Sequence, residues 1–221
     1  MSSETIVSTS RPVCFVGGAS ATSFEINDIY QHVTGFVAVD SGADALLKAS
    51  IAPIAVIGDL DSLSQTARDT FVDLLCQIEE QSTTDFEKAL TRVAAPAIIA
   101  LGFTGGRMDH ILSVLSVMMR YPDKPVILTD CDDVSFLAPI GQSVLELPEG
   151  TRVSLMPVAP ATVSLGGVVW PFTQTLMTMT GFTSPSNAAT GGDVTIQTDA
   201  PILVTLPRAH LPIALKAVVR E

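Results

Sequence analysis

Ile54-Ala55-Val56-Ile57-Gly58-Asp59-Leu60-Asp61-Ser62 is the stretch from which the fold of this chain is read. An apolar, largely β-branched run stops at a glycine. Two aspartates follow, two positions apart, and then a hydroxyl. A short buried strand with such an exit suits an open α/β sheet, whose ligands gather beyond the carboxyl ends of its strands. In an extended segment residues i and i+2 face the same side, so Asp59 and Asp61 are expected to aim at one point on that rim. Two hard oxygen donors there suit Mg²⁺, which takes a few carboxylates and completes its shell with water and phosphate oxygens. The same letters also make a good solvated turn, so the surrounding chain has to decide.

Working outward, the pattern recurs. Val13-Cys14-Phe15-Val16 ends in Gly17-Gly18, and Phe36-Val37-Ala38-Val39 ends at Asp40, followed by Ser41-Gly42-Ala43. Ala97-Ile98-Ile99-Ala100-Leu101 exits through Gly102. Helices are expected over residues 44–50, 64–75, 84–94 and 109–120. Thr84-Asp85-Phe86-Glu87 has the form of a capping box opening the third. Leu112, Leu115 and Met119 mark one face of the fourth. Val126–Thr129 and Val134–Leu137 read as strands around the acidic turn 130–133. Strands alternating with helices argue for a mostly parallel sheet covered on both faces.

The character changes near Pro139-Ile140-Gly141. Beyond it there is no helical period until the last few residues. Short runs of Val, Thr, Leu and Ile alternate with turns at Gly150, Gly166-Gly167, Gly181, Gly191-Gly192 and Pro201, the rhythm of an all-β sandwich or barrel of roughly 80 residues. The expected architecture is α/β plus all-β: an N-terminal three-layer α/β domain over residues 1–139 and a C-terminal β-sandwich over 140–221. No internal repeat, low-complexity tract or long linker interrupts it.

Composition narrows the partners. The 221 residues are 47% hydrophobic and 16% charged, with 12 Lys plus Arg against 23 Asp plus Glu and a formal charge of -11. That balance repels nucleic-acid backbones and anionic membrane surfaces. An acidic protein that handles phosphates generally needs a cation between them. Cys14, Cys76 and Cys131 are odd in number and widely spaced, as in a reduced cytoplasmic protein. The first ten residues are polar, and no run reaches the roughly 18 apolar residues of a membrane span. The expectation is a soluble cytoplasmic protein, not exported.

Asp40 should join Asp59 and Asp61 on one rim. Asp85 lies in a helix's first turn, where the macrodipole alone would favour a carboxylate, or it belongs to the site. Lys88, three residues on, is on the same helical face; it either pairs with Asp85 or reaches a phosphate. Gly105-Gly106-Arg107-Met108-Asp109-His110 opens the last of the four helices. Glycines let backbone N–H groups approach a phosphate, the helix start favours the anion, and Arg107 adds a planar donor. Otherwise Gly105-Gly106 is a plain turn, Asp109 an N-cap and His110 a hydrogen-bonding histidine. There is no P-loop and no spaced G-x-G-x-x-G. No Ser-His-Asp or Cys-His set stands out, and the three scattered histidines offer no zinc site. The residues alone lead to Mg²⁺-dependent phosphate chemistry on an α/β rim.

Four segments, in order and spacing, resemble the motifs of the thiamine pyrophosphokinase family: Asp40-Ser41-Gly42-Ala43, Gly58-Asp59-Leu60-Asp61-Ser62, Thr84-Asp85-Phe86-Glu87-Lys88-Ala89-Leu90 and Gly105-Gly106-Arg107-Met108-Asp109-His110. Gly167-Val168-Val169-Trp170-Pro171-Phe172 is similar to that family's thiamine-stacking segment. Ser186-Asn187 is similar to its Ser-Asn-Glu motif, with Ala188 where glutamate is usual. The resemblance implies an ATP-binding α/β domain, a β-sandwich, and a homodimer holding thiamine between subunits. It implies transfer of a pyrophosphoryl group from ATP to the thiamine hydroxyl, giving thiamine diphosphate and AMP. Asp59, Asp61 and Asp85 would then handle Mg²⁺ and phosphates, and Asp109 would join them or assist the hydroxyl. Arg107 would grip the polyphosphate, with Asp40, Lys88, Gly105, Gly106 and His110 around the nucleotide. Trp170, Ser186 and Asn187 would serve thiamine; apart from the resemblance, Trp170 reads as sandwich core. Two other readings stand beside this one: a pyrophosphokinase for a pterin or another hydroxyalkyl heterocycle, and a non-catalytic nucleotide or thiamine sensor.

Overall fold

The computed structural model describes residues 4–19 and 21–219. In chain order it runs β1 (Val7–Ser8), β2 (Val13–Val16), α1 (Ser23–Ile29), β3 (Phe36–Val39), α2 (Gly42–Lys48), β4 (Ala55–Gly58), α3 (Gln65–Thr70), β5 (Leu75–Gln77), α4 (Asp85–Arg92), β6 (Val93–Ala94), β7 (Ile98–Leu101), α5 (Met108–Arg120) and β8 (Val126–Thr129). There follow β9 (Asp133–Ala138), β10 (Gly141–Leu147), β11 (Arg152–Met156), β12 (Ala161–Gly166), β13 (Phe172–Met177), β14 (Ser184–Ala188), β15 (Gly192–Thr198), β16 (Ile202–Pro207) and α6 (Leu211–Val218).

The first compact unit holds the residues up to Val117 together with Leu128–Cys131. Its sheet has the order β8-β7-β2-β3-β4-β5, and the β7-β2-β3-β4-β5 pairings are all parallel. All four residues of β2, β3, β4 and β7 are buried. A strand buried on both faces needs cover on both, which makes three layers and explains the unbroken apolar runs. α4 packs on β3 and β4, and Phe86 from it sits edge-on to Phe15 and Phe103, with centroids 6.3 and 4.9 Å away. α2 packs on β2 and β3. It starts so close to β2 that a Cβ on Gly42 would lie 1.8 Å from the Val16 carbonyl oxygen.

Two expectations change here, and one helix is added. The helix over 64–75 is shorter: α3 is followed by a single 3-10 turn, Val72–Leu74, and then by the edge strand β5. The buried residues of α5 are Val114, Val117 and Met118, and Leu112 is 56% exposed. Asp109, Ser113, Ser116 and Arg120 share one stripe of that helix and leave a wide apolar arc, of which packing buries the Val114 side and not the Leu112 side. α1 was not anticipated, although it opens with a complete capping box. Thr22 accepts from Glu25 N (3.2 Å), and Glu25 accepts from Thr22 N (2.9 Å). At Thr84 one half of such a box is present, Thr84 Oγ1 accepting from Glu87 N at 3.3 Å.

The second unit comprises Met118–Ile127 and the chain from Asp132 onward. It contains two antiparallel sheets, β10-β15-β12-β13 and β14-β11-β16-β9. Burial alternates along β9, β10, β12 and β16, the mark of strands with one face on a core. This is the expected sandwich. It takes in β9, which pairs with β16 over Asp133–Ala138, and the chain returns to this unit at Asp132 after leaving it for Leu128–Cys131. The helix expected near the end is α6, packed on β9 and β10.

Candidate active site

The parallel strands deliver their carboxylates to a common rim. One oxygen each of Asp40, Asp59 and Asp61 lies within 4.8 Å of the others. Their convergence does not come from an extended segment, as the spacing suggested. β4 ends at Gly58, and Leu60 turns the chain with φ 64°, a conformation costly for a leucine. Its side chain is only 1% exposed, so the core anchors the turn between the two aspartates. Asp61 N donates to Asp59 Oδ1 (3.3 Å), Arg68 donates to the Leu60 carbonyl (2.6 Å), and Gln77 donates to the Asp59 carbonyl (3.1 Å). Neither Arg68 nor Gln77 carried a signal in the sequence, because each reaches the turn only after folding.

Asp85, at the start of α4, is tied to the same turn. Its Oδ1 accepts from Asp59 N (3.0 Å) and from Lys88 Nζ (2.9 Å). Lys88 Nζ also donates to Asp59 Oδ2 at 3.2 Å, and its side chain is 1% exposed. Burial opposes charge on both partners, but the contacts outweigh it. The Asp61 N–H and Lys88 hold the Asp59 carboxyl below its ordinary value, and Asp85 and Asp59 hold the Lys88 ammonium above its own.

Asp40 is different. It has φ 48° and is 8% exposed, and its Oδ1 is buried without a hydrogen-bond partner. Burial raises its carboxyl above the ordinary value; the Ser41 N–H opposes this, and Asp85, Asp59 and Asp61 add to it. An orphaned buried oxygen aimed among other carboxylates is what a hard divalent cation satisfies. The donor set therefore fits Mg²⁺, with Asp40, Asp59 and Asp61 as the residues to hold it and Asp85 in contact with Asp59 behind them.

A cleft of about 590 Å³ opens over these residues, lined also by Gly17, Gly18, Ser41, Thr83, Phe103 and the 105–107 segment. That volume suits a small-molecule ligand. Gly105 and Gly106 adopt φ 78° and 72°, and nothing lies within 4 Å of a Cβ built on either; they are needed for the left-handed path, not for space. Arg107 and His110 line the cleft. Asp109 does not join the carboxylate cluster. It sits in the first turn of α5 and takes both Nε (3.1 Å) and Nη2 (2.5 Å) of Arg107, which hold its carboxyl below the usual range. Thr83, at the cleft, is held by Glu80, whose carboxylate takes the Ser82 and Thr83 hydroxyls and is lowered to about 2.

In the second unit Trp170 is 64% exposed, which corrects the sandwich-core reading. Asn187 is 2% exposed and clamps the tryptophan's backbone: Oδ1 accepts from Trp170 N (3.2 Å) and Nδ2 donates to Trp170 O (2.9 Å). Asn187 thus supports the segment that presents the indole. Ser186 is exposed, with φ 59°, and its N–H donates to Ser154 Oγ at 3.0 Å.

A parallel α/β rim with converging carboxylates beside a glycine-led helix start is the framework of a kinase-type transferase. A family model described as thiamin pyrophosphokinase, catalytic domain, matches residues 26–128, and one described as thiamin pyrophosphokinase, vitamin B1 binding domain, matches residues 142–203. The chain belongs to the thiamine pyrophosphokinase family. Among curated relatives, it is 27% identical to thiamine pyrophosphokinase 1 of Arabidopsis thaliana, covering 88% of this chain and 76% of that one. It is 31% identical to thiamine pyrophosphokinase 3 of Oryza sativa subsp. japonica over 72% of this chain and 67% of that one. Among solved structures, thiamin pyrophosphokinase from Geobacillus thermodenitrificans superposes with TM-score 0.75 at 26% identity, covering 89% and 96% of the two chains. The Candida albicans enzyme superposes with TM-score 0.77 over 92% and 93%; at 15% identity it speaks for the fold alone. Among the described residues, no helix is long and apolar enough to cross a membrane.

Proposed function

We propose that this chain transfers a pyrophosphoryl group from ATP to the hydroxyl of thiamine, giving thiamine diphosphate and AMP, with Mg²⁺ as its metal. The observation that carries the proposal is the rim itself: Asp40, Asp59 and Asp61 each place an oxygen within 4.8 Å of the others, and Asp40 Oδ1 is buried and unpartnered. Mg²⁺ held there would neutralise charge on the polyphosphate and on the departing oxygen. The chain's own residues do the remainder. The start of α5 and the Gly105-Gly106 backbone offer N–H groups to phosphate oxygens. Arg107 exchanges Asp109 for the polyphosphate and stabilises charge on the α–β bridging oxygen as AMP leaves. Asp109, an exposed carboxylate outside the metal rim, is the candidate to take the thiamine hydroxyl proton as its oxygen bonds to phosphorus.

The indole of Trp170 supplies a flat face for the cationic thiazolium or the pyrimidine, worth about 1–2 kcal/mol when desolvated. Val169, Leu176, Met179 and Phe182 are exposed apolar residues of the same unit, in keeping with a homodimer that covers them and holds thiamine between its subunits. Cys76 is a free cysteine, in keeping with a cytoplasmic setting.

Incubation with ATP, Mg²⁺ and thiamine tests the reading. AMP and thiamine diphosphate should appear in equal amounts. ADP would move the protein to ordinary phosphoryl transfer, and binding without turnover would make it a sensor. Ala188, in place of the family's glutamate, gives the pterin-type acceptor its one foothold, so the same assay is run with hydroxymethylpterin; faster turnover of that acceptor would displace thiamine.

A further inference from the structure

Lys88 is the basic residue that this chemistry leaves unused. A phosphate role would need its ammonium in the cleft, yet the side chain is 1% exposed and does not line the cleft. Its Nζ is engaged by Asp85 Oδ1 at 2.9 Å and Asp59 Oδ2 at 3.2 Å. Asp85 is itself bound to the Asp59 N–H at 3.0 Å, so the lysine, both aspartates and the Leu60 turn form one unit. Reaching a phosphate would mean breaking both ion pairs and leaving two partly buried carboxylates uncompensated, an expensive step.

We propose that Lys88 is a positioning residue: a resident cation behind the rim that balances Asp59 and Asp85 and keeps the site's affinity for a free divalent cation low. The proposal rests on the metal-binding reading of the rim. Four carboxylates meet here, Asp40, Asp59, Asp61 and Asp85. Among the described residues, Lys88 is the basic side chain ion-paired with any of them; Arg107 pairs with Asp109 instead. A divalent ion on Asp59 shares that carboxylate with the ammonium. Two like charges around one carboxylate, in a partly buried site, repel strongly enough to change affinity tenfold or more. The phosphates of a nucleotide supply the missing negative charge, so the metal binds well only together with its nucleotide. The strand-end cluster thereby avoids holding a metal before the substrate arrives.

The test is Mn²⁺ binding to the full chain without nucleotide, with free Mn²⁺ followed by electron paramagnetic resonance. Lys88→Gln keeps amide donors for both carboxylates but no charge, and should bind Mn²⁺ at least tenfold more tightly than wild type. Lys88→Met should do the same if it folds, as judged by circular dichroism. Lys88→Arg, which retains the charge, should stay within about threefold. Damage to the site can only weaken binding, so a gain is the signature of the charge. An unchanged or weaker affinity in folded Lys88→Gln overturns the role given to Lys88. Wild-type Mn²⁺ binding that Asp59→Asn leaves untouched would instead sink the metal site itself, and the lysine's role with it.

Discussion

Asp85 and Asp61 should be equally necessary for turnover and very unequal for stability. Replacing Asp85 by alanine removes the acceptor of the Asp59 N–H and one of the two carboxylates that neutralise a lysine 1% exposed. A hydrogen bond to a charged group contributes about 1.5–3 kcal/mol. Breaking a buried ion pair costs about 3–5 kcal/mol, but here Asp59 still holds Lys88 at 3.2 Å and the Asp85 side chain is 29% exposed, so roughly a third of that is expected. The sum is about 3 kcal/mol, or a melting temperature lower by about 6–12 °C for a chain of this size. Asp61 is exposed, and its side chain accepts only from Ser62 Oγ, at 2.8 Å, among the described residues. Asp61→Asn keeps that acceptor and should stay within about 0.5 kcal/mol of wild type. Calorimetry at neutral pH in chelator, alongside AMP release, measures both. Asp85→Ala melting within about 2 °C of wild type, or Asp61→Asn falling as far as Asp85→Ala, would refute the account of how the rim is held.

Asp40→Asn should stabilise the protein at pH 7 by about 1 kcal/mol, the usual gain on relieving a strained functional site, while abolishing turnover. Because the Asp40 carboxyl is raised above its ordinary value, its neutral form favours folding at low pH and that contribution is lost as pH rises through the shifted value; the advantage of the variant should therefore shrink toward pH 4 in melting curves. Leu60→Gly should be more stable to urea than Leu60→Ala by about 1 kcal/mol, reversing the usual order, because φ is 64°. Equal midpoints would show that the turn is unstrained. Trp170→Ala should raise the KM for thiamine by about tenfold and leave that for ATP unchanged; steady-state kinetics with each substrate varied decides it.

The rim was legible because its cause is local. Strands buried on both faces must be continuous apolar runs, and in β3 and β4 the first residues past the run are Asp40 and, after Gly58, Asp59. The sandwich was legible from its turns and alternation. What escaped depends on contacts distant in sequence. Nothing in the letters says that Leu60 adopts a left-handed conformation, or that Arg68 and Gln77 hold its neighbours. α5 has a wide apolar arc, so tertiary packing, not pattern, put Val114, Val117 and Met118 inward. α1 was available in principle, since Thr22-Ser23-Phe24-Glu25 spells a capping box, but the residues after it are too mixed to show a period. The spacing of Lys88 left Asp85 or a phosphate as its partner; that it meets Asp85 and that Asp59 shares it come only from the folded structure.

The contact of Gly42 against the end of β2 has a wider implication. There the spacing of the rim is set by main chain touching main chain, with no side chain as a shim. Substitutions deeper in the sheet can change the size and shape of the interior without altering the gap at that point. A lineage can therefore rewrite most of its hydrophobic letters and keep the catalytic edge in register, provided this position, and the Gly17 and Gly102 pair that meets main chain to main chain nearby, stay bare.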